Sequence, residues 1–499
     1  MKSIATCCIV FAMLTPFLGK PVLAQSDPPS DVATGSAPKP ITAPLKALST
    51  NPRYFTDGSG KAIYLTGSHT WNTLQDWGTN NSIQPLDFGA FVKMLVAYRH
   101  NFTLLWTTEL PTFRGLPVTA SAPPDFTVAP FPWKRTGPGN ASDGKPKFDL
   151  TQYDQAYFDR LRDRVGQLNA AGIYAGVYPF SGEWILRFRF SGDGYPFTGS
   201  NNVNGIDDGG AMSSVTMTAP NAITQIQDAY VKKMVDTLND LPNVLWIVSQ
   251  EAPKDSKWWN SHLIAVIRAY EAGKPLQHPI GYGVTAEGNP QADANLLNSD
   301  ADWIAPAARI SPTISRGTGH PAWKVNINDS DHSYWEIWKD SPQLNRNYFW
   351  INFTNGNQTL FMDPYVVYYP RENRNLCPSP VNGISPKPDM RWDQVRATMG
   401  YIRSYADRMD LAAMLPAEKL SSTGHVLANT ASPNPELLVY APTGGQFTVD
   451  LSAAGHFAVK WLNPATGAPS AGPDVEGGAP RTFTPPFDGD AVLYLKRRP

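Results

Sequence analysis

Val244-Leu245-Trp246-Ile247-Val248-Ser249-Gln250-Glu251 and Lys324-Val325-Asn326-Ile327-Asn328-Asp329-Ser330-Asp331-His332 decide how this chain reads. Each is a short run rich in β-branched and apolar residues that stops abruptly at carboxylates. A strand apolar on successive residues, rather than on alternate ones, is covered on both faces. Working outward, similar runs recur at 63–67, 102–106, 173–178, 279–284, 303–307 and 359–362, giving eight expected strands. Helical spacing lies between several of them: Phe88, Phe91, Leu95 and Tyr98; Tyr157, Leu161, Val165 and Leu168, closed by Gly172; Ile223, Ile226, Tyr230, Met234 and Leu238; Leu263, Ile267 and Tyr270. A last helix is expected over 392–409, whereas the helices after the fifth and sixth strands leave no clear pattern. This alternation predicts an α/β chain folded as a (β/α)8 TIM barrel. A doubly wound open sheet is the alternative, and no Gly-x-Gly-x-x-Gly turn supports it.

The pattern changes near residue 415. Shorter strand-like runs at 425–429, 437–440, 447–451, 457–462, 481–484 and 491–496, with turns at Thr443-Gly444-Gly445 and Ala454-Gly455, predict a small all-β sandwich over 415–499. Ahead of the barrel (49–414), residues 25–48 are rich in Pro, Ser and Ala and read as a linker. Residues 1–24 read as a cleavable signal peptide: Lys2, an apolar stretch over 4–18, then Val22-Leu23-Ala24. That stretch is short for a membrane span, so a secreted or periplasmic protein is expected. Cys7 and Cys8 leave with the signal and only Cys377 remains, which precludes an intrachain disulfide. A net charge of −1 offers no footprint for nucleic acid or an anionic membrane. Oligomeric state leaves no trace in the sequence.

In a barrel of this kind the chemistry sits where strands end. Glu251, just past the fourth strand, is placed to be a general acid, with Gln250 beside it to bind a sugar hydroxyl. Its alternative is a helix N-terminal Glu answering the dipole. Asp329 shares strand parity with Val325 and Ile327 and is placed to be a nucleophile. Asp331 has the same parity and is the rival, with His332 next to it. An Asx-turn would also account for this cluster. A metal reading of Asp-Ser-Asp-His lacks further ligands at suitable spacing, so neither metal nor another cofactor is expected. His69 and Trp71 follow the first strand, Glu109 the second, Glu183 and Trp184 the third, Asp363 and Tyr365 the eighth. Singly, each could equally cap or pack; together they suggest a cleft lined for sugar, and Glu109 and Glu183 compete for the catalytic roles. The long insertions at 111–148, 181–220 and 364–388 fall at the same end. The 15 Trp, 20 Tyr and 22 Phe mildly favour stacking against sugar rings.

Tyr64-Leu65-Thr66-Gly67 with His69-Thr70-Trp71, Asn328-Asp329-Ser330-Asp331-His332, Leu360-Phe361-Met362-Asp363-Pro364-Tyr365 and Arg408-Met409-Asp410-Leu411 resemble the apiosidase-like glycoside hydrolases. The last part of the chain, with Leu438-Val439-Tyr440, Val449-Asp450-Leu451-Ser452, Trp461-Leu462-Asn463-Pro464 and Phe483-Thr484-Pro485-Pro486, resembles the collagen-binding type of β-domain that often follows such barrels. The resemblance spans nearly all of the mature chain. It implies a hydrolase of plant or microbial oligo- or polysaccharides with retaining chemistry. Gln250-Glu251-Ala252 is similar to the Asn-Glu-Pro element of the wider retaining clan, and departs from it at both flanks. Asp329 stands where that clan usually has Glu, one methylene longer, which leaves the stereochemical outcome open. Two other readings stand beside it: a non-catalytic glycan-binding or surface-assembly protein on a barrel scaffold, and Ser/His/Asp esterase chemistry, for which no Gly-x-Ser-x-Gly elbow is present.

Overall fold

The structure is a computed structural model that describes residues 39–79, 82–114, 125–209, 212–286, 290–306, 324–330, 342–363, 365, 392–431 and 433–498. Eight strands form one sheet: β1 (Thr66–His69), β2 (Phe102–Leu105), β3 (Tyr174–Val177), β4 (Val244–Val248), β5 (Ile280–Gly283), β6 (Trp303–Ala305), β7 (Val325–Asp329) and β8 (Gln358–Met362). They pair in parallel in the order β1-β8-β7-β6-β5-β4-β3-β2. The two remaining edges meet around Asn101, whose backbone N–H donates to the Thr66 carbonyl at 3.0 Å and whose side-chain oxygen accepts from the Thr66 N–H at 3.0 Å. The Thr103 hydroxyl adds a bond to the Ser68 carbonyl at 2.8 Å. Gly67 is required at this seam, since a Cβ there would stand 2.1 Å from the Phe102 carbonyl oxygen.

The doubly apolar strand pattern has a direct structural cause. On β4, Leu245 and Ile247 join Leu65, Phe102, Leu104, Val325 and Ile327 in the barrel interior. Val244, Trp246 and Val248 pack outward under the helices. Those helices are α1 (Phe88–Ala97), α2 (Gln155–Ala170), α3 (Glu183–Arg187), α4 (Ala222–Leu238), α5 (Lys257–Glu271), α6 (Pro290–Leu297), α7 (Pro342–Thr354) and α8 (Asp393–Arg408). Asp87 and Asp154 cap α1 and α2, and Asn221 with Thr224 forms a capping box on α4. The short α6 follows β5, in a stretch without clear helical spacing. Among the described residues no helix is long and apolar enough to cross a membrane.

The N-terminal boundary differs from the expectation of a linker over 25–48. Leu45 is 1% exposed and packs with Phe55 and Leu65 in the interior cluster, and Lys46–Ala47 pairs with Phe55–Thr56. Residues 39–48, the described part of that stretch, therefore pack with the barrel, because their apolar side chains have a core to enter.

The C-terminal region is antiparallel throughout: β9 (Val426–Asn429), β10 (Glu436–Ala441), β11 (Phe447–Leu451), β12 (His456–Leu462), β13 (Ala479–Phe483) and β14 (Ala491–Arg497). One sheet runs β9-β10-β14-β12, and β11 pairs with β13. Val439, Val449, Phe457 and Leu493 share its own core. A second cluster joins it to the barrel, bringing Tyr348, Trp350 and Phe353 of α7 and Tyr405 of α8 against Leu438, Tyr440, Val492 and Tyr494.

Candidate active site

Asp329 closes β7 on the same face as Val325 and Ile327, which points it into the upper barrel. It is 2% exposed. His69, closing β1, places Nε2 3.0 Å from Asp329 Oδ1 and 2.9 Å from Oδ2. The other ring nitrogen, Nδ1, accepts a hydrogen bond from Trp106 Nε1 at 2.9 Å. Indole can only donate, so Nδ1 carries no proton and Nε2 donates to the carboxylate. Three strands thus fix one tautomer of a fully buried histidine and aim its single N–H at Asp329.

Trp106 continues the site sideways. Its ring stacks on Tyr178 at 4.6 Å between centroids and 18° between planes. The Tyr178 hydroxyl donates to Gln250 Oε1 at 3.3 Å. Gln250 would share the outward parity of Trp246 and Val248 if β4 continued straight. Instead Ser249 has φ +52° and Glu251 has φ +46°. Left-handed backbone at two non-glycine residues is uncommon and costs free energy. It breaks the alternation and sends Gln250 toward Tyr178. An unbroken chain of contacts therefore runs from Asp329 through His69, Trp106 and Tyr178 to the β4 corner.

The loops after β2, β3 and β4 are tied together by backbone. The Gln250 N–H donates to the Ser181 carbonyl at 2.8 Å. The Ser181 and Gly182 N–H groups both donate to Glu109 Oε1 at 2.7 Å. Glu109 is 8% exposed, and its Oε2 is buried without a hydrogen-bond partner among the described residues. Burial pushes its pKa up to about 7, against the pull of the two amides. Gly182, with φ +81°, opens α3 and lies against Ala252.

Glu183 and Glu251 share one guanidinium. Arg187 Nη2 lies 2.5 Å from Glu251 Oε2, and its Nε lies 3.4 Å from Glu183 Oε1. The Glu183 side chain is 12% exposed and that of Glu251 is 22% exposed. Burial, then the negative charge of Glu251, pushes the Glu183 pKa up to about 8, with Arg187 opposing. The carboxyl whose proton is held more tightly therefore lies deeper than the one beside it.

Six of the expected sugar contacts are buried: His69, Glu109 and Gln250 in the contacts above, and Trp184, Asp363 and Tyr365 as follows. Trp184 is 1% exposed among Trp77, Phe113 and Phe188. Asp363 is clasped by Arg396, Nε to Oδ2 at 2.7 Å and Nη2 to Oδ1 at 2.6 Å, with the guanidinium itself fully buried. Tyr365 is 3% exposed against Phe91. The two rings and the carboxylate are thus taken up by neighbouring side chains. Trp71 is partly exposed and packs on Trp77 and Trp184. Asp331 and His332 lie outside the described residues. Among the described residues, no group of three His, Cys, Asp or Glu side chains could hold a metal ion. Trp106, Tyr178 and Arg187 join the site without being singled out by the sequence pattern. Trp106 and Tyr178 stood at the ends of their expected strands, and the four-residue step from Glu183 to Arg187 was a readable helical pair.

Fold and site together define a (β/α)8 barrel with its ionisable side chains gathered at the C-terminal strand ends, followed by an antiparallel β region. No family model matches the chain, and comparison with curated proteins gives no match. Solved structures do resemble it. One is a glycoside hydrolase, 12% identical with a TM-score of 0.58, the match covering 92% of this chain and 98% of that one. Another is a glycoside hydrolase family 5 protein from Bacteroides vulgatus, 12% identical with a TM-score of 0.59, covering 92% and 95%. At that identity the likeness is one of architecture.

Proposed function

We propose that this protein is a glycoside hydrolase, acting on a plant or microbial glycan through two carboxyl groups. Glu251 protonates the leaving oxygen, and Asp329 attacks the anomeric carbon to form a glycosyl-enzyme that water then opens. The observation that carries this reading is the chain of contacts from the His69–Asp329 pair through Trp106 and Tyr178 to Gln250, next to Glu251. It joins the carboxyl group that receives the His69 N–H to a second group of carboxyls, at the end of the barrel where such chemistry is built. The hydrolase names of the structural neighbours agree with it. The resemblance to apiosidase-like enzymes supports retention, and the signal-like N-terminus supports secretion.

The test is product release from a panel of plant cell-wall and bacterial glycans, with anomers resolved by NMR. Glu251→Gln should lower kcat/KM on unactivated glycosides by about 10²–10⁴-fold and much less on aryl glycosides with good leaving groups. Asp329→Asn should abolish turnover of both. Equal loss on both substrate classes for Glu251→Gln would remove it as the acid. An inactive wild type on every glycan, with glycan binding retained, would favour the non-catalytic binder instead.

A further inference from the structure

We propose that Glu109 is a positioning residue: its Oε1 holds the turn that opens α3, and through that turn holds the β4 corner where Glu251 stands. The proposal rests on the hydrolase reading and deepens it, by separating Glu109 from the acids that act on substrate. It starts from two consecutive amides. The Ser181 and Gly182 N–H groups converge on Glu109 Oε1, each at 2.7 Å. Both residues are buried, so their donors need an acceptor supplied by the protein. That acceptor reaches them from the loop after β2. The same turn then reaches β4. The Ser181 carbonyl accepts from the Gln250 N–H at 2.8 Å, and Gly182 forms a parallel bridge with Gln250. Gly182 is left-handed at φ +81°, so close to Ala252 that a Cβ on it would stand 2.9 Å from the Ala252 Cβ. Glu251 lies between these two contacts and is itself left-handed at φ +46°. A non-glycine residue keeps that conformation only where its surroundings over-determine it. Here the contacts on either side of it, at Gln250 and at Ala252, both lead to the turn that Glu109 holds.

The surroundings of Glu109 argue against a direct part in the reaction. It is 8% exposed, and its Oε2 is buried with no hydrogen-bond partner among the described residues. Its charge acts on the buried hydroxyls of Tyr157 in α2 and Tyr230 in α4, which pack outside the barrel. Protonated or ionised, the carboxyl keeps an oxygen able to accept from the two amides. The geometry therefore calls for the reach of this side chain rather than for its charge.

Two substitutions separate reach from charge. Glu109→Gln keeps the reach and loses the acid, whereas Glu109→Asp keeps the acid and draws it back by one methylene. Both are measured on the full chain with a glycan that the panel shows to be cleaved. Glu109→Asp should lower kcat by about 10–10²-fold, and Glu109→Gln should lower it by about fivefold less or better. The loss in Glu109→Asp should fall harder on unactivated glycosides than on aryl glycosides with good leaving groups, because what moves is the corner that carries the proposed acid. Glu109→Ala, which removes the acceptor altogether, takes the place of Glu109→Asp should the latter not fold. A second readout needs no substrate. In hydrogen exchange followed by mass spectrometry, peptides covering 181–187 and 249–253 should lose protection in Glu109→Asp and keep it in Glu109→Gln. Glu109→Gln no more active than Glu109→Asp, or equal protection in the two, would overturn the proposal. Protection lost in Glu109→Asp with its kinetics in place would overturn it too, leaving Glu109 merely structural. If no glycan is cleaved, the functional reading fails, while hydrogen exchange still decides whether Glu109 holds the corner.

Discussion

At the scale of single residues, Glu109 shows how burial and hydrogen bonding compete. One oxygen receives two backbone N–H groups, and the other has no hydrogen-bond partner among the described residues. Replacing Glu109 with Gln keeps the accepting oxygen and puts an amide where the unpartnered oxygen stands, so the variant imitates the protonated acid. The sign of the pH effect follows from linkage. The folded-state pKa, about 7, lies above the usual 4.5, so the folded state binds more protons than the unfolded chain between those values. Stability contributed by this group is intact below about 4.5 and falls as pH rises to about 7. We expect Glu109→Gln to match wild type near pH 4 and to exceed it at pH 8, by at most about 3 kcal/mol, in urea denaturation. Equal stability at both pH values would mean that the carboxyl is solvated. Legibility at this scale was uneven. Asp329 could be read because strand parity is a local rule, and Val325 and Ile327 do face the interior with it. Its partner could not, because His69 comes from the opposite end of the barrel sequence and Trp106 fixes its tautomer through a contact with no sequence spacing. Asp363 looked like a rim carboxylate for the same reason: Arg396, which takes it up, lies on α8.

At the scale of elements, the eight strands were legible because each is apolar on both faces, and both faces are covered. Helix α7 was not. Tyr348, Phe349, Trp350 and Phe353 are all buried, between β8 and the C-terminal strands, so the helix has no polar stripe to reveal its period. The left-handed turn after β4 was hidden too, since Ser249 and Glu251 give no compositional sign of positive φ. The neighbouring turn is more exacting. Gly182 has φ +81°, and a Cβ there would stand 2.9 Å from the Ala252 Cβ and 3.4 Å from the Trp259 ring. Gly182→Ala should therefore destabilise the fold by about 1–2 kcal/mol through the left-handed backbone alone. Because Gly182 bridges Gln250, it should also disturb Glu251 and lower kcat more than the stability loss explains. The check is thermal denaturation alongside kinetics at a temperature where the variant is folded. Full activity at reduced stability would separate the α3 entry from the chemistry.

At the scale of the whole molecule, the sequence divided the chain near residue 415 and gave no sign that the two parts share a core. The structure joins them through α7. Arg346 at its start is 7% exposed and grips Asp490 with Nε to Oδ2 at 3.0 Å and Nη2 to Oδ1 at 2.7 Å. The Tyr440 hydroxyl lies 3.1 Å from Asp490 Oδ2 and 2.5 Å from Asn347 Oδ1, and its ring stacks on Trp350 at 6.0 Å. The β region thus completes the packing of a barrel helix, which makes it a structural part of the barrel unit. Asp490→Asn would leave a buried guanidinium facing a neutral amide. Breaking a buried pair from one side costs about 3–5 kcal/mol, because the remaining charge stays desolvated. With the core shared, that loss should lower the temperature of one cooperative transition seen both by calorimetry and by the loss of the proposed glycosidase activity. Two separated transitions in the wild type, with activity following only one of them, would show that the barrel stands without its β partner.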